Sequence, residues 1–448
     1  MRFLSNVLFL PLLMILAITG RAEQATTRPL SLNEALALSS EGSYQLRIAR
    51  QQLAEAKGQN LEAWSGFLPH FSITERYLKS DDPVSVFGLK LKQGVFSQQD
   101  FALSALNNPD KFKNYTTEFR VELAILNLDA IFGKSAATMM VKAQRQGVRR
   151  AKEAVAFQTK SGYYGLILSY QSLRAIEHAI KSAQAHRDDA KAALDQGMIS
   201  QADYLAAEVR LGELQEQKIS AENQIRNVSD GLKLIMGLAS DAVLFPTDSL
   251  TISGNISTGA DTRAALENRA DLRAILFRKK AAGRNLWAKG SAWLPRINGF
   301  GIREWNGADA FQKDATNYTL GVQLSWNIFD GFGHLGRRQQ AAAKKHQADV
   351  RYRQAAQQAR NEISAARRNL QAAQQRIAVA QKAVQQTTES LHITEQRFRE
   401  GLAKTADLLD REAMQTNARL RFLKAKHDYL VARSELDFAL GGEVKSGK

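Results

Sequence analysis

Two carboxylates near the C-terminal end of the chain have a spacing that could do chemistry. Asp407 and Asp410 are three residues apart, which places both side chains on one face of a helix. Carboxylates that are held close together repel one another and attract cations. The alternative is a pair of solvated acids at a helix start, where the helix dipole favours negative charge. Which of the two applies depends on the elements that position the pair.

No pattern in the sequence points to catalysis. The seven histidines do not have the spacing of metal ligands, and the absence of cysteine excludes disulfides, thiolate metal sites and a lipidated N-terminal cysteine. Glycine-rich nucleotide loops, the nucleophile-elbow motif and the zinc-protease motif are missing as well. We therefore predict a protein that is not an enzyme and has no cofactor and no bound metal.

Composition and the N-terminal segment indicate an exported protein. The chain has 448 residues, of which 24% are charged and 44% hydrophobic, so it is neither disordered nor a polytopic membrane protein. The net charge of +16 is spread along the chain, and we predict no nucleic-acid partner. Residues 1–22 have the pattern of a signal peptide, with Arg2 before a short apolar run and with Gly20 and Ala22 at the cleavage site.

The sequence contains an internal repeat. Gly197 and Asp203 recur as Gly401 and Asp407 with the same spacing, and further pairs of matching residues follow in the same order in both halves. The predicted organisation is a signal peptide (1–22), a first repeat (23–238), a linker (239–262), a second repeat (263–441) and a C-terminal tail (442–448).

Each repeat is predicted to contain two amphipathic β-strands. Leu320, Val322 and Leu324 alternate with polar residues, which is the period of a strand with one apolar face. The partner strands are expected to begin near Leu68 and Leu294. A half-buried sheet in a soluble protein would alternate in the same way, so the strands alone leave both interpretations open.

Long helices beside the strands favour a membrane assembly. One row of large apolar residues has a strict period of seven, which forces left-handed supercoiling. This row consists of Ile363, Leu370, Ile377, Val384, Leu391 and Phe398. A second, weaker stripe consists of Ala365, Ala372, Val379 and Ile393. Two stripes require two neighbouring helices, which is typical of a ring or barrel of helices.

The strand count predicts an oligomer. Four strands cannot close a membrane barrel, because the smallest have about eight, and an open sheet edge is not tolerated in lipid. Several chains must therefore share one barrel, and three chains would supply twelve strands. The predicted fold class is α+β and mostly helical, with a transmembrane barrel that continues into a helical coiled-coil barrel.

Taken together, these features resemble the TolC-like family of outer-membrane efflux proteins. The resemblance implies a homotrimer in the outer membrane of a Gram-negative bacterium, with a large periplasmic extension. It also implies passive export, in tripartite efflux or type I secretion, of substrate from an inner-membrane pump through a periplasmic adaptor protein. The residues that carry the resemblance are the turns Gly197/Asp203 and Gly401/Asp407, the strand end Trp326–Gly331 and the terminal Leu440-Gly441.

The resemblance also suggests roles for individual residues. Asp407 and Asp410 would form the gate at the pore entrance, whereas Gly197, Asp203 and Gly401 would lie in the periplasmic tip turns that contact the adaptor. Leu320, Val322 and Leu324 would face outer-membrane lipid. Two features distinguish the repeats. In the first, Ser200 fits a capping box with Asp203, whereas the second has Lys404 at the position of Ser200, with Thr405 as a substitute cap. The first repeat also has Ala206 at the position that corresponds to Asp410.

Two further features concern the ends of the strands. Residues 86–109 are predicted to be an external loop, with a hairpin as the alternative. Aromatic residues cluster at strand ends, where they would form an interfacial belt or an ordinary core. These are Trp293, Trp305, Trp326, Phe329 and Phe332. The competing functions are a periplasmic adaptor, which would have a single helical hairpin, and a soluble coiled-coil scaffold.

Overall fold

A computed structural model describes residues 27–252, 261–312 and 315–442. The predicted signal peptide lies outside the described residues, as do part of the predicted linker and nearly all of the predicted C-terminal tail. Within the described residues, no helix is both long enough and apolar enough to cross a membrane.

The chain folds as two similar halves, each in the order helix, strand, connection, strand, long helix, turn and helix. Ten α-helices and six strands lie in the described ranges. The helices are α1 (Leu32–Gly42), α2 (Tyr44–Glu62), α3 (Pro83–Gln93), α4 (Leu103–Asn107), α5 (Leu128–Asp195), α6 (Gln201–Met236), α7 (Thr262–Asn268), α8 (Ala270–Ser291), α9 (Gly333–Arg399) and α10 (Thr405–Ala439). The strands are β1 (Thr27–Leu30), β2 (His70–Ser80), β3 (Phe112–Leu126), β4 (Val243–Pro246), β5 (Arg296–Gly307) and β6 (Ala315–Ser325).

Four of the strands form one antiparallel sheet in the order β2-β3-β5-β6. Each half supplies two neighbouring strands, and the halves meet where β3 pairs with β5. Residues that are directly opposite one another share a face. Leu320, Val322 and Leu324 alternate along β6 and therefore lie on one face, as the sequence predicts. The residues opposite them on β5, among them Gly301 and Gly299, add no polar side chain to that face.

Glycines make room for large side chains across the sheet. A Cβ atom on Gly321 would lie 2.6 Å from the ring of Phe300, which is directly opposite on β5. On the other face, a Cβ atom on Gly301 would lie 3.0 Å from Leu320. The strand pairs therefore combine a large residue with a glycine, a common device in twisted sheets.

The helices α5 and α9 extend away from the sheet, with 68 and 67 residues respectively. At about 1.5 Å per residue each spans about 100 Å. Each returns through a shorter helix, so α5 with α6 and α9 with α10 form two long hairpins. The predicted seam is buried at Ile363, Leu370 and Leu391. The second stripe lies largely open in the single chain, since Val379 and Ile393 are exposed.

A small parallel sheet ties the start of the chain to its middle. β1 pairs with β4, which lies inside the segment that the sequence predicts as a linker. Tyr163 of α5 is fully buried beneath this pair, and its hydroxyl donates to Asp248 Oδ2 at 2.6 Å and lies 2.8 Å from Leu30 O. Burial, followed by the hydrogen bond to Asp248, raises the pKa of Tyr163 to about 12. Part of the linker is thus an ordered layer packed on α5.

Arginines hold the C-terminal end of α10. The guanidinium of buried Arg269 donates to Ala439 O at 3.1 Å and also contacts Glu362 at 2.7 Å. Arg150 of α5 donates to Phe438 O at 2.9 Å. Cations at a helix C-terminus satisfy its free carbonyls and interact favourably with the helix dipole. The end of the second repeat is thereby fixed to the first.

The connection between β2 and β3 corrects one expectation. It is not a hairpin but contains α3, a short 3-10 turn and α4. Asp82 caps α3 by accepting from Ser85 N at 2.8 Å, Pro83 occupies its first turn, and Gly94 ends it in the left-handed conformation. These are standard start and stop signals for a helix.

Candidate functional site

The turn between α5 and α6 forms the first helical tip. Gly197 has φ +72°, a left-handed conformation that favours glycine, and its N–H donates to Leu194 O at 2.8 Å. The next amide, that of Met198, donates to Ala193 O at 2.8 Å. These paired bonds close the end of α5 and reverse the chain.

Ser200 and Asp203 start α6 by satisfying one another. Asp203 N donates to Ser200 Oγ at 3.2 Å, and Asp203 Oδ2 accepts from Ser200 N at 3.2 Å and from Ser200 Oγ at 2.6 Å. This is the predicted capping box. The hydrogen bonds from Ser200 lower the pKa of Asp203, and the nearby ammonium of Lys404 adds to the effect. The carboxylate of Asp203 is therefore engaged in the N-terminal cap of α6.

The turn between α9 and α10 repeats the same backbone with different side chains. Gly401 has φ +73°, its N–H donates to Phe398 O at 3.0 Å, and Leu402 N donates to Arg397 O at 2.7 Å. At the start of α10, Lys404 N donates to Asp407 Oδ2 at 3.2 Å. Lys404 has no side-chain oxygen to return the bond. Thr405 is already the first residue of the helix, so it does not act as the substitute cap.

Asp407 and Asp410 lie on the exposed surface of the first two turns of α10. Asp407 accepts a single backbone hydrogen bond, whereas Asp410 makes no hydrogen bond or ion pair within the part of the chain that the structure describes. The structure thus brings both carboxylates to the second tip, beside the turn at Gly401, as the sequence predicts. Asp410 is left available for a partner outside the single chain.

A contact between the two hairpins was not foreseen from the sequence. His186 Nε2 of α5 lies 3.0 Å from Glu412 Oε1 of α10, and Glu412 is buried. The hydrogen bond to Glu412 raises the pKa of His186; burial opposes this, while the charges of Glu412, Glu395 and Asp189 support it. The pair lies about three helical turns from the tips. It joins repeat one to repeat two close to the proposed entrance.

The apolar face of the sheet is continuous across all four strands. Leu320, Val322 and Leu324 are exposed on β6. The register extends this face over β5 to β3 and β2, where Phe119 stacks on Phe71 at 6.2 Å between ring centroids and Tyr115 lies 4.9 Å from Tyr77. The opposite face carries charged and polar side chains, among them Glu118, Arg120, Glu122, Asn298, Thr319 and Gln323.

Four charged residues lie on the apolar face, all in its half that is farther from the long helices: Glu75, Arg303 and, near the outer end of the sheet, the opposed pair Lys79 and Lys113. Glu75 accepts a hydrogen bond of 2.5 Å from the hydroxyl of Thr117 on the neighbouring strand. Arg303 lies with its guanidinium 5.5 Å from the ring centroid of Trp305. Glu75 and Arg303 are thus each accompanied by a local partner, and Lys113 forms an ion pair with Asp309 at 3.3 Å. Long basic side chains at the end of a sheet can extend towards water from an apolar surface.

Most of the aromatic residues at the strand ends are exposed. Trp293, Trp326, Phe329 and Phe332 all have large accessible surfaces, so the core alternative is wrong for these four. Trp326 Nε1 donates to Trp293 O at 3.0 Å, which fixes its ring at the end of the sheet nearest the long helices. Exposed indole and phenyl rings at a strand end are typical of a membrane interface.

The sequence matches a known family over its second half. Residues 262–442 match the family model described as outer membrane efflux protein. Comparison of the sequence with curated proteins gives no match.

Solved structures with the same fold are outer-membrane channels. The CmeC channel of Campylobacter jejuni superposes with a TM-score of 0.81 at 18% identity, covering 93% of this chain and 87% of that one. VceC of Vibrio cholerae has a TM-score of 0.78 at 18% identity, with 92% and 97% covered. The open state of MtrE of Neisseria gonorrhoeae gives 0.75 at 16% identity, with 92% and 89% covered.

The predicted resemblance to the TolC-like outer-membrane efflux proteins is confirmed by the family match and by the shared fold. The predicted class of function, an outer-membrane efflux channel, is confirmed with it, as is the predicted outer-membrane location.

Proposed function

We propose that the protein is a homotrimeric duct that passively exports substrate received from an inner-membrane pump through a periplasmic adaptor. The observation that supports the trimer is the four-stranded sheet. Its outer strands, β2 and β6, each pair on one side only within the described residues, and one face is mostly apolar, above all in the half nearer the long helices. Unpaired strand edges are not tolerated in lipid, so neighbouring chains would have to join β6 of one to β2 of the next.

The oligomeric state can be measured directly. Light scattering of the detergent-extracted protein should give a protein mass of three chains, with the protein recovered from the outer-membrane fraction. A stable monomer in mild detergent would contradict the shared barrel. Recovery in the soluble periplasmic fraction would instead favour the adaptor or scaffold alternatives.

The second part of the proposal concerns the entrance. Threefold symmetry would arrange Asp407 and Asp410 as rings of carboxylates around the axis of the tips. These rings would bind cations and bias selectivity, because carboxylate rings of this kind are cation-selective. The free carboxylate of Asp410 supports this role. Gly197 and Gly401 would form the turns that the adaptor contacts when the tips separate.

Planar-bilayer recording tests the rings. The Asp410→Asn variant should lose part of the cation preference and should be blocked less by multivalent cations from the periplasmic side. The matched control is Asp203→Asn, which should leave selectivity nearly unchanged because Asp203 belongs to the cap of α6. If the double variant Asp407→Asn/Asp410→Asn keeps both the cation selectivity and the block by multivalent cations, the assignment of these residues to a gate is wrong. The proposal of a trimeric duct is not affected by that result.

A further inference from the structure

The helix α3 lies on the polar face of the sheet, at the end farthest from the long helices. Its residue Lys92 forms an ion pair with Glu304 of β5, with 3.1 Å between Nζ and Oε2. Glu304 is opposite Glu118 in the register, so it shares the polar face and not the face of Val322. In the proposed barrel the apolar face meets lipid and the polar face lines the lumen. The helix therefore lies on the luminal side, at the extracellular mouth.

A buried polar cluster fixes the helix in this position. Gln93 Nε2 lies 2.7 Å from Asn114 Oδ1, 2.8 Å from Lys113 O and 3.1 Å from Gly307 O. Asn114 in turn donates to Asn306 Oδ1 at 2.9 Å. Gln93, Asn114 and Asn306 are all buried. Buried polar groups that bond to one another specify one arrangement, so α3 is held against the sheet at its C-terminal end.

The helix has two apolar faces, and the chain itself covers one of them fully and the other only in part. Val86 is 2% exposed and Leu89 is 9% exposed, and both pack towards the sheet. On the opposite side, Val84 is 81% exposed and Leu91 is 53% exposed. Phe87 lies between them on the same stripe; one edge of its ring contacts Phe96, with 4.8 Å between the ring centroids, and the rest of it is open. These three residues follow the i, i+3, i+7 spacing of a helix face that packs on another element.

We propose that this stripe, formed by Val84, Phe87 and Leu91, packs against the same stripe of the other chains and closes the extracellular mouth of the duct. The inference rests on the proposed trimer. Its occupant is a second copy of this chain, because the threefold axis runs along the lumen into which the stripe points, and three anchored copies of α3 converge there. The duct then has an apolar constriction at its outer end in addition to the acidic entrance at the tips.

Cysteine cross-linking tests this contact, and the reagent can react with the chain only at an introduced cysteine, because the sequence contains none. A three-armed maleimide should convert the Leu91→Cys variant into a covalent trimer in outer-membrane preparations. The matched control is Gln99→Cys, an exposed residue of the same loop that lies off the stripe; it should remain as single chains. Trimers by light scattering without covalent linkage at Leu91 would overturn the constriction and leave the duct intact. A monomer would overturn the duct as well.

Access from outside provides the second test. Gln323 lies on the polar face, near the end of the sheet from which the long helices extend, so a cysteine at this position is reached only past α3. In whole cells that carry Gln323→Cys, a small maleimide should label the protein and a bulky polyethylene glycol maleimide should fail to do so. Adding Leu91→Asp, which places three carboxylates at the constriction, should admit the bulky reagent; adding Gln99→Asp should not. Labelling of the parent by the bulky reagent as fast as by the small one would contradict the closure.

Discussion

The two helical tips share a backbone and differ in the side chains that start the returning helix. Both turns place a glycine with φ near +70° after the long helix, and both close with the same pair of amide-to-carbonyl bonds. At the first tip, Ser200 and Asp203 satisfy one another. At the second, Lys404 supplies only its backbone N–H to Asp407, and Asp410 stands where the first repeat has Ala206.

The difference shows which parts of the repeat are constrained by the fold. A chain reversal with a left-handed residue needs glycine in both copies. A helix N-terminus can be satisfied by a side-chain cap or by water. Asp407 still accepts from the backbone of Lys404, whereas Asp410 has no part in the cap and can take another role. Four features test the comparison, in order from the largest expected effect to the smallest.

Charge on the apolar face of the sheet should have the largest effect, and it should be equal in both repeats. Val322→Arg on β6 and Val121→Arg on β3 should each cost about 2–4 kcal/mol near the membrane midplane and reduce the amount of assembled trimer. The matched control is Gln323→Arg on the polar face, which should assemble normally. Similar losses from Val322→Arg and Gln323→Arg, measured as trimer recovered from outer membranes, would indicate a sheet in water.

The ion pair that joins the hairpins should make the region near the tips sensitive to pH. A raised pKa for His186 means that the contact with Glu412 is fully present below the ordinary histidine pKa, about 6.5, and is lost as pH rises through the raised value. A hydrogen bond to a charged group contributes about 1.5–3 kcal/mol. Hydrogen exchange at the contact between α5 and α10, corrected for intrinsic rates, should therefore become faster from acid to alkaline pH.

The His186→Gln variant provides the control for that experiment. It should abolish the pH dependence, because a glutamine amide at this position carries no charge at any pH and cannot take up the proton that strengthens the contact with Glu412. A wild-type protein with protection that is independent of pH would contradict the role of the pair.

The turn glycines should be equally important at the two tips. Gly197→Ala and Gly401→Ala each force a residue with a Cβ atom into the left-handed conformation, at a cost of about 1–2 kcal/mol. Neither position has an atom within 4 Å of an added Cβ, so the cost comes from the backbone alone. Hydrogen exchange of the tip amides should rise by similar amounts in both variants. A strong effect at only one tip would show that the turns are not equivalent.

The caps should give the smallest effects, with opposite signs. Ser200→Ala removes the hydroxyl from the box and should destabilise the start of α6 by about 1 kcal/mol. Lys404→Ser supplies the missing hydroxyl at the second tip and should stabilise the start of α10 by a similar amount. The local protection of the first helical turn measures both changes. No gain from Lys404→Ser would mean that the second tip is held by contacts other than a cap.

Local periodicity made much of the fold predictable. The seam through Ile363 and Leu370, the alternation around Val322 and the turns at Gly197 and Gly401 are properties of short stretches of sequence, and the structure contains all of them. The helix α3 had local signals too, since Asp82 and Pro83 start it and Gly94 ends it. Its short apolar run between two strands resembled a loop or hairpin, and the caps were not recognised.

Contacts between distant segments could not be predicted in this way. The pairing of β1 with β4 and the approach of His186 to Glu412 each join residues that are more than two hundred positions apart. Nothing in the neighbourhood of either residue specifies its partner, because the geometry arises from how the two repeats pack. The pair Asp407 and Asp410 was singled out from its spacing, whereas the free carboxylate of Asp410 and the burial of Glu412 required the structure.

The small parallel sheet has a consequence for the order in which the chain acquires its structure. The chain is synthesised from its N-terminus, so β1 is made long before β4. Until β4 and Asp248 have been added, Leu30 has no strand partner and the hydroxyl of Tyr163 lacks its carboxylate acceptor. The guanidinium of Arg269 likewise lacks its acceptor, the carbonyl of Ala439, until the end of α10 has been made. Such non-local closures are slow steps in folding and leave apolar surface open meanwhile. The first repeat is therefore synthesised as an incomplete unit, which closes only after β4 has been added.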